Sequence, residues 1–258
     1  MILRRVIEHV KEQNWTAVAL DFFIVVVGVF IGIQVANWNE ARGDRALGED
    51  YVQRLRADLE RDFVATSDIL NYYQAVRDSI VEADRLLSTD DGDARQLVIA
   101  AYRASEFAST PPNRATWDQI VSSGHLGLLP DGAVGSDLSE YYTFDESNAV
   151  TISRVEGSSY RQAVRSIIPL DVQIAIREGC SDVLNDFLVI AGFMNECRLQ
   201  VDSSVLTATA EKLRSDPEIS EELRYQYSRV ASVINNSTGN VVLIERVLAS
   251  LGGSEEKS

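Results

Sequence analysis

Histidine and cysteine are scarce in this sequence: His9 and His125 are its only histidines, Cys180 and Cys197 its only cysteines. Nucleophilic catalysis needs a base beside the nucleophile, and a zinc site needs three or four His, Cys or carboxylate ligands at motif spacing. Neither pattern occurs. His125 follows Ser122 and Ser123 in a glycine-rich loop, where adjacency reflects turn chemistry, and there is no His-Glu-x-x-His run. Positive charge is also short, with 24 Lys and Arg against 39 Asp and Glu, a net charge of -15. Such a field repels phosphate, which argues against nucleic acid as a partner. The loop holding Gly124, Gly127, Gly132 and Gly135 lacks the Gly-Lys-Ser/Thr order of a phosphate loop, and "STDDGD" at 88–93 lacks the ligand spacing of a calcium loop. No catalytic residue, cofactor or metal is therefore expected, and the sequence names no reaction.

What the sequence does have is one long apolar run. From Thr16 to Ala36 only Thr16, Asp21 and Gln34 are polar. At about 1.5 Å per residue this stretch spans the roughly 30 Å of a hydrocarbon core, and Trp15 and Trp38, about 34 Å apart, fall where interfacial aromatics anchor a span. The run passes into "QVANWNEAR", whose Asn37, Trp38 and Asn39 are unlike the small residues of a signal cleavage site. The reading is an uncleaved anchor: a segment at 1–15, a transmembrane helix at 16–37, and a domain at 38–258.

Charge counts do not orient that helix, because Arg4, Arg5 and Lys11 on one side are balanced by Arg42, Arg45, Arg54 and Arg56 on the other. The even cysteine count points outward, since one Cys180–Cys197 bridge suits an oxidising compartment, with two buried thiols as the alternative. The expectation is a bacterial inner-membrane protein with its N-terminus cytoplasmic and its C-terminal domain periplasmic. An unbroken helix over 180–197 would hold its ends about 25 Å apart, beyond the reach of a bridge, so the chain must fold back there. Gly179 and Gly192 offer the breaks, with a short helix over 182–193.

The remainder reads as all-α. Leu47, Tyr51, Leu55, Leu59, Phe63, Leu70, Tyr73, Val76, Ile80 and Leu87 recur at helical spacing, predicting one amphipathic helix over about 38–88, with Gly43 and Gly48 as candidate bends. Further helices are expected over 95–107, from 115 to Ser123, over 137–167, 171–178, 203–214 and 217–251, the last interrupted at "NNSTGN". Pro111 and Pro112 break the chain, Pro169 ends a helix, and Pro217 suits a first turn. No strand alternation is evident, so the fold expected is a helical bundle with a long first helix. Asp145 and Glu146 point to different sides of a helix and read as ordinary acids of an acidic chain. Tyr72, Tyr73, Tyr141 and Tyr142 read as half-buried core rather than a stacking platform.

One face of the anchor stands out. Asp21, Val25, Gly28, Gly32 and Ala36 fall within about 80° of one another at 100° per residue, with Asn39 near the same face. Gly28 and Gly32 form a Gly-x-x-x-Gly pair that lets two helix backbones approach in lipid, and a carboxylate within a span usually faces protein. This face is expected to bind a second copy or another membrane protein. The alternative is a tether whose Asp21 reaches the cytoplasmic head groups.

"LDFFIVVVGVFIGIQVANWNEAR" at 20–42 resembles the N-terminal signature of an uncharacterised bacterial family of small single-pass membrane proteins: an acid, then Ile, Val, Leu and Gly, closing on Gln, Asn, Trp, Asn and Glu. "ATWDQIVSSGHLGLLPD" and "LSEYY" are similar to that family's second block. Here Asp21 stands where Glu is usual and Gly32 where Ala is commoner. The resemblance implies an anchored architecture and no activity. Two functions stay open: a noncatalytic scaffold or accessory subunit of an inner-membrane assembly, and a ligand-sensing periplasmic helical domain that signals through a partner.

Overall fold

The computed structural model describes residues 15–89, 92–130 and 137–252. The expectations for the N-terminal segment, for Asp90 and Asp91 of the acidic turn, for Gly132 and Gly135 of the glycine-rich loop and for Gly253 fall outside these residues. The chain divides into two compact units, one ending at Val52 and one beginning at Gln53.

The described chain is almost wholly helical, with a long first helix followed by a helical bundle. The helix Trp15–Leu87, α1, runs through Gly43 and Gly48 without interruption. In the first unit, eleven large apolar side chains between Leu20 and Val35 stand 47–71% exposed.

Local chemistry marks the starts of the helices in the second unit. The Asp93 carboxylate accepts from the amides of Arg95 and Gln96 and caps Ala94–Ala104, α2. Next comes Ala115–Ser122, α3, reached through Pro111 and Pro112, and then a single 3-10 turn at His125–Leu128 entered by Gly124 at φ 71°. The following helix is Leu138–Glu156, α4. Ser158 separates it from Ser159–Ile167, α5, because its extended backbone lets its hydroxyl accept from the Arg161 amide as a cap. Pro169 stops α5 and precedes Leu170–Gly179, α6. Asp202 caps Ser203–Ser215, α7, by accepting from the Ser204 amide, and Pro217 opens Pro217–Gly252, α8.

Three expectations are corrected. The helix expected over 137–167 is two, α4 and α5, divided at Ser158. Residues 182–193 do not form a helix: Asp182–Leu184 (β1) pairs antiparallel with Ile190–Phe193 (β2), with a register shift between Val183 and Leu184. Asn185 makes the turn, its side-chain oxygen accepting from the amides of Phe187 and Val189, and β-branched Val189 and Ile190 favour the extended return. Nor does "NNSTGN" interrupt α8. Its polar residues face α4: Asn236 donates to the Thr151 hydroxyl and Asn240 to the Asp145 carboxylate. Gly239 seats against the Phe144 ring, which a Cβ would meet at 3.3 Å.

Those contacts belong to the pairing of α4 with α8, beside which α2 packs on α7 and α5 on α8. The core holds Tyr72, Tyr73, Val76, Ile80, Leu97, Val98, Tyr160, Val164, Leu213, Leu223 and Val233, all essentially inaccessible. Two buried tyrosines tie their hydroxyls to backbone carbonyls: Tyr73 donates to Ala108 in the connector after α2 at 2.9 Å and Tyr160 to Ala101 of α2 at 3.0 Å, whereas the Tyr72 hydroxyl has no partner.

One buried ion cluster joins α2 to α5 and α6. Glu106, 3% exposed, meets Arg165 at 3.1 Å, Arg177 at 3.0 Å and Arg161 at 3.7 Å. Arg161 also donates to the Ser105 carbonyl and Arg165 to the Ser105 hydroxyl, while the Arg165 guanidinium lies 3.4 Å from the centroid of the Tyr102 ring. Three guanidiniums around one carboxylate are made more tolerable by further contacts to the Ser105 oxygens, the Tyr102 hydroxyl and ring face, and Asp182.

Candidate functional site

Two regions carry features that packing alone does not explain. The first is the apolar part of α1. Its most apolar 18-residue window has a mean hydropathy of 2.5, and none of it is buried. Length and composition suffice to cross a membrane. Helical geometry places Asp21, Val25, Gly28, Gly32 and Ala36 along one side of this segment. Gly28 and Gly32 meet nothing within 4 Å of a Cβ position, so their ridge is open to a neighbour. Trp15 and Trp38 are 76% and 64% exposed, and the Arg42 guanidinium sits 6.0 Å from the Trp38 ring.

The second region is a cleft of about 280 Å³ in the second unit. Four pieces of chain build it. Thr66 and Ile69 come from α1, and Pro111, Pro112 and Arg114 from the connector before α3. Asp145, Glu146, Asn148, Ala149 and Ile152 come from α4, and Ser237 and Asn240 from α8. The connector is fixed from below by Asp62, which is 3% exposed and accepts from the Asn113 amide at 2.9 Å, the Asn113 side chain at 2.6 Å and the Tyr141 hydroxyl at 2.9 Å. Burial pushes the Asp62 carboxyl above the ordinary range, partly offset by those donors. Tyr142 donates to the Asn113 carbonyl and stacks on Trp117 with ring centroids 5.4 Å apart.

The cleft lining is mostly apolar, but three of its polar side chains are incompletely satisfied. Asn148 is 5% exposed, and Ser237 and Asn240 are inaccessible, yet Asn148 Oδ1, Asn240 Oδ1 and Ser237 Oγ have no hydrogen-bond partner. Each such orphan costs about 1–3 kcal/mol, so three on one wall need an explanation. Asn240 spends its amide on the Asp145 carboxylate, 3.0 Å away, which fixes the side chain with its oxygen left over. Burial, and then the charge of Asp62, push the Asp145 carboxyl from an ordinary 3.8 up to about 6, against the Asn240 bond and the charge of Arg114, which lower it. Arg114 is already engaged: it donates to Glu146 at 2.5 Å, approaches Asp118 at 3.5 Å and lies 5.2 Å from the Tyr142 ring. No cluster of three His, Cys, Asp or Glu that could hold a metal exists among the described residues.

Cys180 and Cys197 are joined by a disulfide, with Cα atoms 4.4 Å apart. The β1–β2 hairpin brings them together from just outside its two ends. Phe193 pins it, packing 5.1 Å from Tyr72 and under the Arg103 guanidinium, and Asn185 donates to Asp68. Gly179 has to be glycine, because a Cβ there would collide with the Arg198 carbonyl. His125 lies partly exposed in the 3-10 turn outside the cleft lining.

Sequence reasoning placed the anchor residues on one helix face but missed the cleft. Asp145 and Glu146 read as ordinary acids of an acidic chain, and Ser237 and Asn240 were hidden inside an apparent helix break. The one available signal was that break itself, a polar run within an otherwise amphipathic helix.

No curated protein and no solved structure matches this chain. A family does: the match starts at Asp21, inside the apolar segment, and stops at Asn148 on the cleft wall, leaving Ser237 and Asn240 beyond it. Over residues 21–148 the chain is thus similar to a family of unknown function (DUF6090).

Proposed function

We propose that this chain is a single-pass membrane protein whose N-terminal helix anchors a noncatalytic helical bundle, serving as a scaffold or accessory subunit of an inner-membrane assembly. The observation that carries the reading is the bare apolar segment. Eleven large apolar side chains standing 47–71% exposed would cost on the order of 10 kcal/mol in water, and a bilayer removes that cost. A core helix of a soluble protein would be covered by its own fold, and none of this window is.

In this reading the bundle lies on the periplasmic side, where the Cys180–Cys197 bridge persists. The face of Asp21, Gly28 and Gly32 is the contact to a second copy or another membrane protein, because small residues permit backbone approach in lipid and a carboxylate there gains from a protein neighbour. Asp21→Leu combined with Gly32→Leu should abolish association of the anchor in a two-hybrid oligomerisation assay that reads contacts within the membrane. Association at the wild-type level would discard the interaction face while leaving the anchor intact.

A further inference from the structure

We infer that the cleft between α1, the 109–114 connector, α4 and α8 is a binding site for a small organic cation, a short aliphatic primary amine held by its ammonium group. The site consists of residues of the second unit alone, so it stands whether or not the apolar segment spans a membrane.

Ligand chemistry follows from what the wall leaves unmet. Asn148 Oδ1 and Asn240 Oδ1 can only accept, and Ser237 Oγ can accept as well as donate. Beside them stand the carboxylates of Asp145 and Glu146. What is missing is donors, and an ammonium group brings three of them with a positive charge.

The alternatives fit worse. An anion would face Asp145 and Glu146 with Asp62 behind them, and Arg114, the one cation lining the cleft among the described residues, is committed to Glu146 and Asp118. A bare metal ion would find no triad of charged or imidazole ligands among the described residues. An apolar guest would leave the three orphans without a partner. The rest of the lining, Ile69, Pro111, Pro112, Ala149 and Ile152, suits a few methylene groups, and about 280 Å³ sets the scale of the guest.

The raised Asp145 carboxyl agrees with this geometry. In the free protein its charge is poorly supported: Asp62 on α1 and Glu146 on its own helix oppose it, while Arg114 on the connector and Asn240 on α8 support it. A bound ammonium would supply the missing support. Affinity should therefore rise with pH as Asp145 ionises, and binding at pH 5 should be about tenfold weaker than at pH 7.5, since near pH 5 about nine-tenths of Asp145 is protonated.

The test is calorimetric titration and thermal melting of the full chain in mild detergent with 1,4-diaminobutane and n-butylamine, using n-butanol and butyrate as controls. The expected result is saturable binding and a raised melting temperature with both amines, and neither with the controls. Asp145→Asn, which keeps the acceptor for Asn240 but loses the charge, should weaken binding at least tenfold. Ser237→Ala removes a buried hydroxyl that has no partner, so it should not unfold the chain, yet it should weaken amine binding several-fold. If Asp145→Asn fails to fold, Ser237→Ala decides. No saturable binding at millimolar amine would overturn the proposal, and so would equal binding of butyrate or amine affinity unchanged in the folded variants. Occupancy of the cleft by ordered water alone in an amine-soaked crystal would also overturn it.

Discussion

Asp145→Asn should stabilise the free protein at pH 8 and leave it nearly unchanged at pH 4. Asp145 lies part-buried on α4 with its carboxyl pushed up to about 6 from an ordinary 3.8, first by burial and then by the charge of Asp62. The folded chain therefore keeps the proton up to about pH 6, whereas the unfolded chain loses it near 4. Whatever stability this group contributes is present below pH 4 and lost as pH rises through 6. A two-unit difference corresponds to about 3 kcal/mol, and solvent screening at the cleft mouth reduces that to about 1–2 kcal/mol. Asparagine at 145 carries no charge and can still accept from Asn240, so it recovers that amount at pH 8. For a unit of this size the gain is a rise of about 3–6 °C in melting temperature. The assay is thermal unfolding of wild type and variant at pH 4, 6 and 8. A gain equal at all three values, or a loss at pH 8, would refute the electrostatic account of the cleft wall.

Two further outcomes follow from the bundle. Glu106→Ala leaves Arg161, Arg165 and Arg177 facing one another without their shared carboxylate, and should cost about 3–5 kcal/mol in urea unfolding, whereas an exposed carboxylate such as Glu82 should cost less than about 1 kcal/mol when replaced. Replacing both Cys180 and Cys197 by Ser opens a loop of 17-residue separation and should lower stability by about 3 kcal/mol; a reductant should reproduce the loss in the wild type and have no effect on the variant.

Much of the bundle could be read from the sequence where a local signal and the tertiary structure agree. Pro111 and Pro112 hold an extended connector, and Pro217 sits at a first turn. Tyr72, Tyr73, Tyr141 and Tyr142 are core residues, more deeply buried than the half-burial expected. The failures have one physical origin, that short runs are ambiguous until a neighbour is known. "DVLNDFLVIAGF" has helical spacing of Leu184, Phe187 and Leu188. The side-chain hydrogen bonds of Asn185 nevertheless form a tight turn, and Phe193 packs on Tyr72 from the returning strand. In "NNSTGN" the turn-forming residues are held helical because Asn236, Gly239 and Asn240 all find partners on α4. The cleft was illegible for the same reason: Asn148, Ser237 and Asn240 lie on two helices about ninety residues apart, and nothing local marks them as one wall.

The central claim is that the apolar helix crosses a bilayer once and carries the bundle to the periplasmic side. Protease added to intact spheroplasts of a Gram-negative host expressing the full chain, with detection of a C-terminal tag in the carbonate-washed membrane fraction, tests it most directly. The account predicts that the chain stays with the membranes through the wash and that the tag and bundle are digested without lysis. A chain released by carbonate, or a bundle protected until the spheroplasts are broken, would contradict it.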